Sequence, residues 1–243
     1  MTPGSATERA ALSRTNLPSC RPEGVATELR GLLVDYGGVL TTPLADATNA
    51  WLQADGIDPE RFGRLMRRWL AGDADANAVH DLETGRISAG DFERRLAAEL
   101  LGDDGPTADG PPGGRPAAGM LTRMFAGFRP DTRMIDMVRA ARTAGVRTGL
   151  LSNSWGLDYP REGWDTLFDT VVISAEVGLR KPEPAIYTLA AERLGLPPSQ
   201  VVFVDDMAPN VRGAGAVGMV GVQHTDVETT ADELEILLGV SLR

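Results

Sequence analysis

GLLVDYGGVL, residues 31–40, is the stretch on which the reading of this chain turns. Its apolar run Leu32–Leu33–Val34 stops at Asp35 and is followed by Tyr36, Gly37 and Gly38. A short run bounded by glycines predicts a buried strand of a parallel sheet, with a turn at its carboxyl end. After Pro130 the same pattern returns, now alternating with helical periods. Asp131 opens a helix through Ala144 that Gly145 stops, and Thr148–Leu151 reads as a strand ending at Ser152. Val171–Ile173 is a further strand, ending at Ser174. Pro184–Leu194 is helical with Gly195 at its stop, and Val201–Val204 is a strand ending at Asp205–Asp206. Met219–Val222 and Ala231–Leu238 read as a last strand and a last helix. Strands alternating with helices predict an α/β fold, a doubly wound parallel sheet covered on both faces.

Between these parts, residues 44–128 follow a different rule. Phe62, Leu65, Met66, Trp69 and Leu70 fall at helical spacing behind Asp58, a natural N-cap, and Pro59 at the first helical position. Ser88 caps a second helix over Ala89–Leu101, with Phe92, Leu96 and Leu100 four apart. Strand signals are nearly lacking, so this segment is expected to be an inserted helical cap. Its Gly/Pro-rich stretch 102–119 reads as a mobile loop, and residues 1–26 as a flexible N-terminal extension. The α/β core is then assigned to 27–43 and 129–243. No internal repeat is evident.

Composition narrows the class. Of the 243 residues, 42% are hydrophobic and 24% charged, which suits a globular chain rather than a disordered one. No stretch approaches the roughly 18–20 apolar residues of a membrane span. The first twenty residues lack the apolar block of a secretory signal. Cys20 stands alone, so neither a disulfide framework nor a multi-cysteine zinc site is expected. A formal charge of −10 argues against a nucleic-acid partner. The expectation is a cytoplasmic protein with no nucleic-acid or membrane partner; the oligomeric state is not legible.

The 24 basic residues are 23 arginines and one lysine, Lys181. Arginine is a wide planar fork, whereas lysine is a compact charge on a flexible stem. A position that keeps lysine in so arginine-rich a chain is a candidate site. Ligand sites of doubly wound sheets lie beyond the carboxyl ends of the strands. Asp35, Ser152 and the pair Asp205–Asp206 are all expected there, with Lys181 in a nearby loop. Three acidic groups in one crevice repel unless a cation sits among them, and oxygen ligands favour a hard ion, Mg2+. The Gly37 carbonyl is placed to add another oxygen. An aspartate at a strand end can act as a nucleophile on phosphorus. Ser152 and backbone N–H groups would then donate to phosphate oxygens, and Lys181 would offset negative charge.

VDYGGVL (34–40), LLSNS (150–154), GLRKPEPAIY (178–187) and VVFVDDMAPN (201–210) resemble the four ordered motifs of the haloacid dehalogenase-like superfamily. The likeness is to its phosphatase branch, which includes the N-terminal domain of soluble epoxide hydrolase and bacterial sugar-1-phosphate phosphatases. LETGRIS (82–88) resembles a segment of that family's helical cap. The resemblance implies a Rossmann-like core acting on a small phosphorylated metabolite, such as a sugar phosphate, through an aspartyl-phosphate. It makes Asp35 the nucleophile and a metal ligand, with Gly37, Asp205 and Asp206 completing the metal site. Ser152, Asn153, Gly37 and Gly38 match the phosphate-binding positions, and Lys181 the charge-stabilising lysine. Asn210 would orient the last loop, although a helix N-cap explains it equally well. His80 lies in the insert near the expected substrate mouth, where a lone histidine is more often structural. Trp155, Tyr159 and Trp164, after the Ser152 motif, read either as lining of the entrance or, more simply, as packing, and Arg180 as a solvated neighbour of Lys181.

One departure stands out. Most phosphatases of the family carry a second aspartate two residues after the nucleophile, and this chain has Gly37 there. The general acid–base help so forgone is typically worth about 10²–10⁴-fold. Two other readings stay open on the sequence. One is a 2-haloacid dehalogenase using the same aspartate on carbon. The other is a catalytically decayed binding or regulatory protein on this fold.

Overall fold

The computed structural model describes residues 28–71, 77–101, 117–156 and 158–243. The extension expected over 1–26, with Cys20, and most of the 102–119 loop lie outside the described residues. Five strands form one parallel sheet: β1 (Gly31–Val34), β2 (Arg147–Ser152), β3 (Thr170–Ile173), β4 (Val201–Asp205) and β5 (Val220–Gln223), in the order β3-β2-β1-β4-β5. The chain works outward from β1 to β3, then returns to β1's other edge. The crevice at that reversal is where such sheets hold their ligands. Val34 is level with both Leu150 and Val204, so Asp35 emerges beside the ends of β2 and β4. Its N–H donates to the Val204 carbonyl at 2.9 Å, which ties the turn to the sheet.

Alternation along the strands feeds two cores. Leu32, Val34, Leu150, Val202 and Val204 pack with residues of α6 (Thr132–Thr143) and α11 (Val227–Leu238). Leu33, Leu151, Val172 and Phe203 pack on the other side with α9 (Pro184–Leu194) and α10 (Ala208–Ala216). The Asp131 carboxylate caps α6 by accepting from the N–H groups of Arg133 and Met134 at 3.0 and 3.1 Å. The last helix starts at Val227, a turn earlier than Ala231, because Asp226 accepts from the Thr229 N–H at 2.8 Å. The short helices α7 (Trp164–Leu167) and α8 (Ser174–Val177) had no legible period.

The insert comprises α1 (Leu44–Asp55), α2 (Pro59–Ala71), α3 (Ala78–Glu83), α4 (Ala89–Leu101) and α5 (Met120–Phe125). Asp58 and Ser88 cap α2 and α4, accepting from Glu60 and Asp91 N–H groups at 2.9 and 3.1 Å. These helices share a core of their own that includes Trp51, Leu65, Trp69, Val79, Phe92, Leu96 and Leu121. Leu70 is an exception to the expected stripe. It stands at the edge of the α2 apolar face and is 42% exposed.

Among the described residues the insert meets the sheet side in several places, two of them backbone approaches. At the stem, the backbones of 40–42 and 129–131 run together: Thr42 N–H donates to Arg129 O, and Asp131 N–H to Leu40 O, both at 2.9 Å. At the second approach, LETGRIS lies against α8. A Cβ on Gly85, whose φ is +72°, would come within 2.8 Å of the Ala175 carbonyl oxygen, so only glycine allows this approach. No helix of the described residues is long and apolar enough to cross a membrane.

Phe92 is wholly buried, with its ring 5.5 Å from Trp69 and 5.9 Å from Trp155, the latter reaching in from the sheet side. Phe92→Ala is expected to cost about 3–5 kcal/mol. Urea unfolding checks it; a loss under about 1 kcal/mol would mean that the insert collapses around the gap.

Candidate active site

The strand ends bring Asp35, Asp205 and Asp206 together: each offers a carboxylate oxygen within 4.8 Å of the others. Lys181 lies among them, 1% exposed, in the loop between α8 and α9. Its Nζ donates to Asp205 Oδ2 at 2.6 Å, Asp35 Oδ1 at 2.8 Å and the Leu151 carbonyl at 3.0 Å. An ammonium has three N–H donors, and three acceptors from three neighbouring strand ends take them all. Asn153 holds the loop in place. Its Oδ1 accepts from the Lys181 N–H at 2.9 Å and its Nδ2 donates to the Lys181 carbonyl at 3.1 Å.

The three carboxylates differ in what remains open on them. Asp205 is fully buried, and its oxygens receive Lys181 Nζ, the Met207 N–H at 2.8 Å, and Asn210 Nδ2 at 3.0 and 3.1 Å. A carboxylate has about four acceptor sites, so these contacts leave Asp205 little capacity for a cation. Asp35 receives both Lys181 and the Tyr36 N–H, at 2.7 Å, on Oδ1. Among the described residues no hydrogen bond falls on its Oδ2. Asp206 is half-buried, and Gly38 makes room for it: a Cβ there, at φ +74°, would lie 2.5 Å from Asp206 Oδ2. Around Gly37, by contrast, a Cβ would meet nothing within 4 Å.

Charge follows from burial. Desolvation pushes the Asp35 carboxyl up to about 7, against the pull of Lys181 and with the help of Asp205. Asp206 is raised as well, by desolvation and then by Asp205. Burial opposes the charge on Lys181, but Asp205 and Asp35 outweigh it, and the ammonium is held more firmly than usual. Three carboxylates and one ammonium leave a net charge of −2 when all are ionised. Hard oxygen donors with that surplus suit a divalent cation such as Mg2+. Asp35 and Asp206, with the Gly37 carbonyl, are the groups that could hold it directly.

These residues open into a cavity of about 310 Å3 that is also lined by Ser152, Asn153, Asn210, Tyr159, Glu83 and Arg180. Several expectations change here. Asn153 lines the cavity, but its amide is engaged on the Lys181 backbone, so it positions the loop. The Gly38 N–H donates to Thr41 Oγ1 at 3.1 Å and is not free for a phosphate. His80 does not line the cavity; burial, then Arg180, lowers its pKa and keeps it neutral. Glu83, three residues on, reaches the cavity in its place. Asn210 is no N-cap: it lies inside α10, gripping Asp205, while its carbonyl accepts from Tyr187 Oη at 2.8 Å. Arg180 is buried rather than solvated, its Nε donating to Glu83 Oε2 at 2.6 Å. Tyr159 and Trp155 line the cavity rather than only packing beneath it. The Tyr159 hydroxyl lies 3.0 Å from Ser152 Oγ, and burial pushes its pKa up to about 12, so it stays a neutral phenol.

The fold and this cluster define the class, and comparison with known proteins agrees. Residues 29–218 match the family of haloacid dehalogenase-like hydrolases, and the chain belongs to it. It is 30% identical over 223 residues to the sesquiterpene phosphatase astK of Aspergillus oryzae, covering 88% of this chain and 100% of that one. It is 31% identical over 202 residues to phosphatase MT3486 of Mycobacterium tuberculosis, covering 79% and 85%. The fold is shared with a haloacid dehalogenase-family enzyme of Bacteroides thetaiotaomicron crystallised with magnesium and inorganic phosphate. That likeness has a TM-score of 0.57 at 20% identity, over 81% of this chain and 94% of that one. The protein is thus a hydrolase of this family, with phosphatases among its relatives.

Without a cation, between about pH 4 and pH 7 the fold keeps a proton on Asp35 that the unfolded chain, at 3.8, has released. That stabilisation is present at low pH and fades as pH climbs from about 4 to about 7. A bound cation must displace the same proton. The rise in Tm produced by Mg2+ is therefore expected to be small at pH 5 and to grow through pH 7, and Asp35→Asn to flatten the trend. A Mg2+ shift independent of pH in the wild type would remove Asp35 from the ligand set.

Proposed function

We propose that the protein hydrolyses small phosphomonoesters with Mg2+, through an aspartyl-phosphate on Asp35. The observation that carries this reading is the asymmetry of Asp35: Lys181 and Tyr36 fix Oδ1, while no partner takes Oδ2 at the floor of the cavity. In the first step Oδ2 bonds to phosphorus as the ester P–O bond breaks, and the departing alkoxide takes a proton from water. In the second, water attacks the acyl phosphate, releasing inorganic phosphate and restoring the carboxylate. Magnesium, when held by Asp35, Asp206 and the Gly37 carbonyl, supplies positive charge against the phosphate oxygens.

The chain's own residues do the remaining work. Ser152 Oγ stands at the cavity wall beside Tyr159, placed to donate to a phosphate oxygen. Lys181, with its three donors engaged, stabilises the ionised form of Asp35 and keeps its open oxygen aimed outward. Asn153 and Asn210 hold Lys181 and Asp205 in register. The helical insert acts as the cap that limits water around the phosphorus. Gly37 offers no acid to the leaving group. The proton for the departing alkoxide then comes from water, and the open space at the Gly37 Cβ leaves room for the side chain other members carry.

Asp35→Asn is expected to bring phosphate release to background while circular dichroism stays native; hydrolysis at the wild-type rate would refute the nucleophile. Gly37→Asp is expected to raise turnover of alkyl esters, toward the roughly 10²–10⁴-fold that a positioned acid supplies. Weaker Mg2+ binding as its only effect would mean that the missing acid does not limit the rate. Phosphate release from an ester panel with and without Mg2+, beside halide release from chloroacetate in excess chelator, separates this reading from a dehalogenase.

A further inference from the structure

Above its polar floor the cavity is walled mainly by apolar side chains among the described residues, with Asp158, Glu83 and Arg180 as its charged wall residues. The insert contributes Leu44, Leu70, Phe125 and Phe128; the sheet side contributes Trp155, Tyr159 and Met207. Only Glu83 brings charge from the insert, and its carboxylate is taken by Arg180. Among the described residues, two of the three large hydrophobic side chains left exposed belong to this lining: Leu70 at 42% and Met207 at 43%, from opposite parts of the molecule. The third, Ile236, lies elsewhere, on α11. Half-exposed apolar groups facing a shared space leave contact surface for something apolar to cover.

The wall is also stiff. Phe128 stacks edge-on to Phe125 at 4.9 Å, Phe125 to Trp155 at 5.9 Å, and Trp155 to the wholly buried Phe92 at 5.9 Å. Rings so braced lose little freedom when a ligand arrives. A sugar phosphate would bring several hydroxyls against this surface, and each without a partner weakens binding. At about 310 Å3 the space sits near the lower end of ligand pockets, roughly 300–1,000 Å3, and fits one chain or compact ring system.

We infer that the phosphatase site takes phosphomonoesters of extended apolar alcohols, alkyl chains or hydrocarbon rings, in preference to sugar phosphates. The inference rests on the phosphatase reading, and the test separates the two. With Mg2+, kcat/KM is measured for ethyl, butyl, hexyl and octyl phosphate below their micellar concentrations, alongside glucose 1-phosphate and p-nitrophenyl phosphate. A rise of about fourfold per methylene is expected until the cavity is filled. Octyl phosphate should exceed ethyl phosphate by a hundredfold or more, and glucose 1-phosphate should fall below butyl phosphate. A flat series, or a sugar ester ahead of octyl phosphate, overturns the substrate class and leaves the phosphatase reading standing. Hydrolysis of none of them overturns the phosphatase reading. Calorimetry of octylphosphonate against ethylphosphonate with Mg2+ then decides the apolar class, equal affinities overturning it. Leu70→Asp, at a half-exposed position on α2, should cut the octyl-to-ethyl ratio at least tenfold. An unchanged ratio in a folded variant would refute the assigned wall.

Discussion

A buried ammonium needs partners, and Lys181 finds them on three different strands: Leu151 on β2, Asp35 beyond β1 and Asp205 on β4. A charge withdrawn from water is tolerable only where its hydrogen bonds are fully met. The demand works in both directions. The lysine gathers two carboxylates that would otherwise repel, and they fix the lysine. Arginine, with a flat fork of five donors, cannot serve three acceptors converging on one nitrogen, which accounts for the one lysine in a chain of arginines. The packing of the sheet's centre and the chemistry at its edge therefore share a single contact.

From that contact follows a division of labour among the acids. Asp205, saturated by Lys181, Asn210 and the Met207 N–H, is a fixed acceptor that organises its neighbours. Asp35 keeps one oxygen open, and Asp206 is accommodated by the missing Cβ of Gly38. Two adjacent glycines thus have unlike reasons to be glycine. At Gly38 a side chain would strike a carboxylate; at Gly37 one would enter open space.

Much of this is legible in the sequence because it is local. Strands end where their apolar runs meet Asp35, Ser152 and Asp205–Asp206, and caps such as Asp131 and Ser88 announce their helices within three residues. Parallel pairing then places those ends together without further information. What escapes is set by distant contact. Glu83 and Arg180 are 97 residues apart, and nothing near either one signals burial against the other. Tyr159 passes for packing because an aromatic near Ser152 has no local mark of its hydroxyl's partner. Asn153 and Gly38 sit in the right motifs, yet their polar groups turn inward, to the Lys181 backbone and to Thr41. The apolar cavity is assembled from loops and helix edges whose residues, taken singly, look like ordinary core.

The lone lysine also makes the chain an unusual chemical object. It carries one side-chain amine, and that amine is protonated and enclosed. Acylation by an amine-selective reagent can touch it only after the three oxygens let go, an opening of the loop that carries it. The pace at which the peptide bearing Lys181 gains its acyl group is then a clock for the release of that loop, readable by mass after digestion.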